Sequence, residues 1–122
     1  MATILVVEDD EQLRSWLRRL LEDNGYLVFE AGNGSNALAC IDREKPDLIV
    51  LDIYLPDKDG LETLLQLHKG CQTVKVLAIS GKFNAGYGTD ALAMLFGAAK
   101  TLAKPFTAAV FLEHVEQLLA SA

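Results

Sequence analysis

Five short, almost wholly apolar runs recur along the chain: "TILVVE", "YLVFEA", "DLIVLDI", "VKVLAIS" and "KTLA". Each is followed by a turn and then by apolar residues at helical spacing. No other feature constrains the fold as tightly. A strand that is apolar on both faces must be covered on both faces, which is the position of strands in a parallel sheet with helices above and below.

After the first run, Leu13, Trp16, Leu17, Leu20 and Leu21 share one helical face, and Gly25 supplies a stop. After the second, the "GNGS" turn precedes a helix carrying Ala37, Leu38 and Ile41 that must end before Pro46. The third run leads through "YLPDKDG" into a helix over "LETLLQLHK", closed by Gly70. The fourth leads through the glycine-containing "GKFNAGYG" into a helix around "TDALAMLF". The fifth runs into Lys104 and Pro105, and the last helix places Phe111, Val115, Leu118 and Leu119 on one face. Short connections and right-handed crossovers then predict an α/β fold, a doubly wound, five-stranded parallel sheet of order 2-1-3-4-5. No linker, repeat or low-complexity tract interrupts the chain, so residues 1–122 are expected to form one domain. That length buries a core without the help of a metal or a disulfide.

Net charge is -6 and the basic residues are scattered, a balance that argues against nucleic acid as a direct partner. The N-terminus "MATILVV" lacks a basic region, and its apolar run is too short to span a bilayer. The expectation is a cytoplasmic protein without membrane insertion. Cys40 and Cys71 have no metal-ligand or CxxC spacing and read as reduced thiols. His68 and His114 read as solvated, Trp16 as packing, and Arg14, Arg18 and Arg19 as a solvated helix face, with contact to a partner protein as the alternative.

In an open parallel sheet all strands deliver their C-terminal ends to one edge, and ligands bind there at the switch point. Those ends carry Glu8 and Asp9, Asp52, Ser80 and Lys104. Taken singly, each has an ordinary explanation: a helix cap for the acids, with Asp10 or Glu11 also suited to that job, a turn for Asp52, a loop hydroxyl, a solvated lysine. Together at four strand ends they predict a site. Clustered carboxylates repel unless a cation sits among them, and Mg2+, a hard ion held by one or two carboxylates alongside a phosphate, is the simplest choice. Asp52 is then the candidate nucleophile for phosphoryl transfer, with Lys104 and the Ser80 hydroxyl as donors to the phosphoryl oxygens.

The motifs "ILVVEDD", "LIVLDIYLPDKDG", "AISG" and "LAKPF" occur in an order and spacing that resemble the receiver domain of response regulators, over essentially the whole chain. The resemblance implies that Asp52 accepts a phosphoryl group from a sensor histidine kinase or a histidine phosphotransfer protein. It implies Mg2+ ligation by Glu8, Asp9, Asp52 and the backbone carbonyl of Tyr54. It also implies a switch role for Ser80, a phosphoryl-contacting role for Lys104, and an altered affinity for a downstream protein target. Thr101 stands where such domains often carry an aromatic switch residue. Tyr54 and Lys82 stand where the family tunes loss of the phosphoryl group, and the loop after Ser80 is somewhat long.

The expected protein is a stand-alone receiver, since the chain starts at methionine and ends soon after the last helix. It is a phosphoryl acceptor that assists its own phosphorylation and dephosphorylation rather than an enzyme. A receiver-like module that binds proteins without phosphorylation is the alternative. A Mg2+-dependent phosphatase of similar fold is disfavoured, because Tyr54 stands where such an enzyme needs an acid. A flavodoxin-like cofactor carrier is disfavoured because the first turn is acidic rather than glycine-rich.

Overall fold

A computed structural model of the chain describes residues 1–53, 62–66, 74–81 and 97–120. Its elements are β1 (Thr3–Val7), α1 (Glu11–Asp23), β2 (Leu27–Ala31), α2 (Gly34–Glu44), β3 (Leu48–Asp52), β4 (Lys75–Ser80), β5 (Lys100–Ala103) and a C-terminal helix (Ala108–Ala120). Residues 62–66 are also helical. The strands form one sheet in the order β2-β1-β3-β4-β5, as the alternation predicts. Every pairing is parallel, with Ile4 beside both Val28 and Leu48, and Leu77 beside Lys100.

The period of two along the strands divides the core into two layers. Leu5, Val7, Ile49, Leu51, Val76 and Ala78 pack with Ala37, Cys40 and Ile41 of α2 and with Leu64 on one face. Ile4, Val6, Leu48, Val50, Leu77 and Ile79 pack with Leu17 and Leu21 of α1 and with Phe111, Val115 and Leu118 of the C-terminal helix on the other. Strands β1 and β3 are therefore apolar throughout because both faces meet helices, and each large side chain so buried contributes roughly 1.5–3 kcal/mol.

Local chemistry sets the helix ends. Asp10 caps α1, accepting from the Gln12 and Leu13 amides at 3.0 and 3.3 Å. The helix stops at Asn24, and Gly25 takes a left-handed φ of 89°. Asn33 accepts from the Asn36 amide at 2.8 Å, so α2 begins inside the expected "GNGS" turn, with Gly34 and Ser35 already helical. It ends at Lys45, ahead of Pro46. The "YLPDKDG" segment after Ile53, the parts of "LETLLQLHK" beyond residues 62–66, the residues of "GKFNAGYG" after Gly81 and the helix around "TDALAMLF" all lie outside the described residues.

Candidate functional site

The parallel arrangement brings the C-terminal ends of β1, β3, β4 and β5 to one edge of the sheet, and the expected residues arrive with them. Glu8 follows β1 and is fully buried, its backbone N–H donating to the Ala31 carbonyl at 3.0 Å. Asp52 ends β3 and Ser80 ends β4, both buried. Lys104 follows β5, and its backbone N–H donates to the Ser80 carbonyl at 3.0 Å. The Lys104 ammonium donates to Glu8 Oε1 at 2.6 Å and to Asp52 Oδ2 at 3.1 Å, so it bridges the two buried carboxylates.

Asp9 lies at the open side of this cluster. One carboxylate oxygen from each of Glu8, Asp9 and Asp52 lies within 4.8 Å of the others. Oxygens around Mg2+ at about 2.1 Å stand roughly 3–4 Å apart, so a slight contraction makes the donor set suitable for that ion. The chemistry of the donors agrees, since all are hard oxygens and those of Glu8 and Asp52 belong to buried residues.

Burial pushes the Glu8 carboxyl from 4.5 up to about 8, with a hydrogen bond to Asp52 and the charge of Asp52 adding to it and Lys104 opposing. Burial alone would lower the Lys104 ammonium. Its hydrogen bond to Glu8 and the Asp52 charge more than offset this and hold it above the ordinary lysine value. The edge is thus a concentrated, mutually dependent set of charges, with the ammonium acting as counter-ion.

Thr101 sits on β5 opposite Ala78 and is partly buried. Tyr54 and Lys82 lie outside the described residues, as do His68 and Cys71. Cys40 is a buried free thiol, pushed up by burial, and the His114 ring is bonded to the Val110 carbonyl one helical turn back. Trp16 differs from the packing role expected of it. It is 42% exposed, stands 6.3 Å from the Phe106 ring, and lines a cavity of about 410 Å³ with Asp10, Leu13, Lys104, Pro105 and Phe106. The last turn of strand and loop at Lys104–Phe106 therefore makes a shallow wall beside the charged edge instead of sealing over the helix.

Arg14 also departs from the solvated face expected of it. Its Nη1 donates to the Glu8 backbone carbonyl at 2.8 Å, and its Nε lies 3.5 Å from Glu30 Oε1. Arg18 does remain at the surface, pairing with Glu22 and Glu30, and these hydrogen bonds hold its guanidinium above its ordinary value. The sequence carried no signal for this contact, which depends on the reach of the guanidinium and not on helical spacing.

Fold and site define the class: a doubly wound α/β protein with a lysine-bridged carboxylate crevice at the switch point of its sheet. Comparison with known proteins narrows this further. Residues 4–116 match the response regulator receiver domain family. The chain is 35% identical over 118 residues to the chemotaxis protein CheY of Listeria monocytogenes, covering 96% of this chain and 98% of CheY. It is 37% identical over 119 residues to the response regulator MprA of Mycobacterium leprae, covering 95% of this chain but 50% of MprA, so it spans about half the length of that relative. Among solved structures, a CheY-like receiver domain protein from Methanospirillum hungatei superposes with a TM-score of 0.91 at 30% identity, covering 98% of this chain and 94% of that one. The receiver domain of NtrX from Brucella abortus gives a TM-score of 0.91 at 33% identity, covering 98% and 99%.

This chain belongs to the response regulator receiver domain family of two-component signalling. Among its described residues, no helix is long and apolar enough to cross a membrane.

Proposed function

We propose that residues 1–122 form one receiver domain that accepts a phosphoryl group on Asp52 from a phosphohistidine of a histidine kinase or phosphotransfer protein and thereby changes its affinity for a downstream protein. The observation that carries this reading is the placement of a buried Asp52 beside Lys104 and within reach of the Glu8 and Asp9 carboxylates. A buried aspartate with its own ammonium and a neighbouring acid pair suits attack on phosphorus better than it suits packing.

In the reaction an Asp52 carboxylate oxygen forms a bond to phosphorus while the bond from phosphorus to the donor imidazole nitrogen breaks, leaving the electron pair on that nitrogen. Glu8, Asp9 and Asp52, with the Tyr54 backbone carbonyl, would hold Mg2+, which when bound supplies charge neutralisation at the phosphoryl oxygens. Lys104 exchanges its bond to Asp52 for one to a phosphoryl oxygen, and the Ser80 hydroxyl donates to another. Thr101, Tyr54 and Lys82 bear on the switch and on the lifetime of the acyl phosphate.

The test is intact mass after incubation with Mg2+ and a small acyl phosphate. Gain of one phosphoryl group, lost in Asp52→Asn and lost on chelation, supports the reading. Incorporation that survives Asp52→Asn overturns it.

A further inference from the structure

The peptide unit that joins Glu8 to Asp9 is the hinge on which both acids turn, and it is tied from outside the crevice. The Glu8 N–H is fixed to the Ala31 carbonyl at 3.0 Å, which sets the start of the residue. Its carbonyl is fixed by Arg14 Nη1 at 2.8 Å, which sets the orientation of the peptide leading into Asp9. The guanidinium is itself held by Glu30, a β2 residue paired with Val6 of β1. Glu30 also takes an Arg18 bond at 2.7 Å. Gly32 completes the seat, because a Cβ there would lie 3.3 Å from Arg14 Nη1. Strand β2, the turn after it and the first turn of α1 thus converge on one backbone carbonyl.

We propose that Arg14 is a positioning residue for the cation site. It acts through the Glu8 carbonyl to hold the Glu8 and Asp9 carboxylates in a ligating arrangement. This inference rests on the reading of Glu8 and Asp9 as Mg2+ ligands. Among the described residues, the ion pair of Arg14 is with Glu30 and not with a carboxylate of the crevice. Its donor fork is aimed at two acceptors at once, a task for which lysine, with a single ammonium, is a poor substitute. Partners that orient ligands from outside the metal's own shell commonly change affinity by 10–100-fold when removed.

The sign of the effect separates positioning from charge. Removing a positive charge near an acidic site strengthens cation binding if charge alone matters, whereas loss of the tether weakens it. Mg2+ titration by calorimetry, or by the fluorescence of Trp16, the single tryptophan, is therefore made on wild type, Arg14→Gln and Arg19→Gln, the last an exposed charge on the same helix. The expected result is Mg2+ binding about tenfold weaker in Arg14→Gln, with Arg19→Gln unchanged or slightly tighter. Equal or tighter binding in Arg14→Gln overturns the proposal. Should Arg14→Gln fail to fold, Arg14→Lys decides the matter at constant charge: weaker binding supports positioning and wild-type binding overturns it. A wild-type protein that binds no Mg2+ defeats the reading of the acid pair itself, a different outcome from either.

Discussion

The two edges of the sheet are both tied by charged side chains, but to opposite ends. At the N-terminal edge, Asp47 Oδ2 accepts from the Thr3 amide at 2.8 Å, Lys75 donates to the Leu118 carbonyl at 2.6 Å, and Lys100 donates to Gln117. Each bond joins one charge to a neutral group near the surface and closes off the end of a strand or helix. At the C-terminal edge, Glu8, Asp52 and Lys104 meet one another with little water between them. The first edge is arranged for stability. The second gathers two buried acids around one ammonium, an arrangement that seldom repays its desolvation unless a cation or ligand joins it.

The comparison breaks hardest at Lys104. Replacing it by Met leaves Glu8 and Asp52 facing each other without a counter-ion, and urea denaturation at pH 8 without divalent cation should show a loss of about 3 kcal/mol. Millimolar Mg2+ should recover much of that loss. A deficit of the same size with and without Mg2+ means that Lys104 is a packing element and the carboxylates are no cation site.

Glu8 gives the next largest effect, and its sign can be stated. Its carboxyl keeps a proton to about pH 8 in the fold and to 4.5 in the unfolded chain. Between those values the folded state binds more protons, so stability falls as pH rises through the window. Glu8→Gln removes that fall. Without divalent cation the variant should gain on wild type by at least about 2 kcal/mol between pH 5 and pH 9, since each unit of pKa difference between folded and unfolded chain is about 1.4 kcal/mol. Parallel pH profiles for the two proteins would show that Glu8 ionises without cost.

The cap of α1 comes third. Asp10 is exposed and neutralises the amides of the turn that follows the acid pair. Asp10→Ala should lower stability by about 1 kcal/mol, independent of Mg2+. A variant that loses Mg2+ binding and not stability would move Asp10 from cap to ligand.

Most of this was legible in the sequence, for a physical reason. Parallel strands covered on both faces must be continuously apolar, so "TILVV" and "LIVLD" announce themselves, and topology then sends every strand's last polar residue to one edge. Glu8, Asp9, Asp52, Ser80 and Lys104 could be gathered before any geometry was known. What escaped reading depends on side-chain reach instead of on period. Arg14 lies at a helical surface position, and only the twist that brings β2 beside β1 shows that its guanidinium reaches back to the Glu8 carbonyl. Trp16 falls on the apolar face of α1 by spacing, yet the path of the chain through Pro105 and Phe106 leaves its ring half open.

The smallest effect completes the contrast. Lys75 begins β4, and its ammonium reaches the Leu118 carbonyl near the end of the C-terminal helix. The bond to a neutral acceptor adds little net free energy, and another donor or water can replace it, so Lys75→Met should cost about 0.5–1 kcal/mol. The loss should be the same with and without Mg2+ and should leave phosphoryl gain at Asp52 unchanged. The pair Lys75→Met and Lys104→Met then compares two lysines at opposite ends of one sheet in a single protein. If Mg2+ corrected both variants equally, the ion would be acting on the fold as a whole. Correction confined to Lys104→Met places its action at the carboxylate edge.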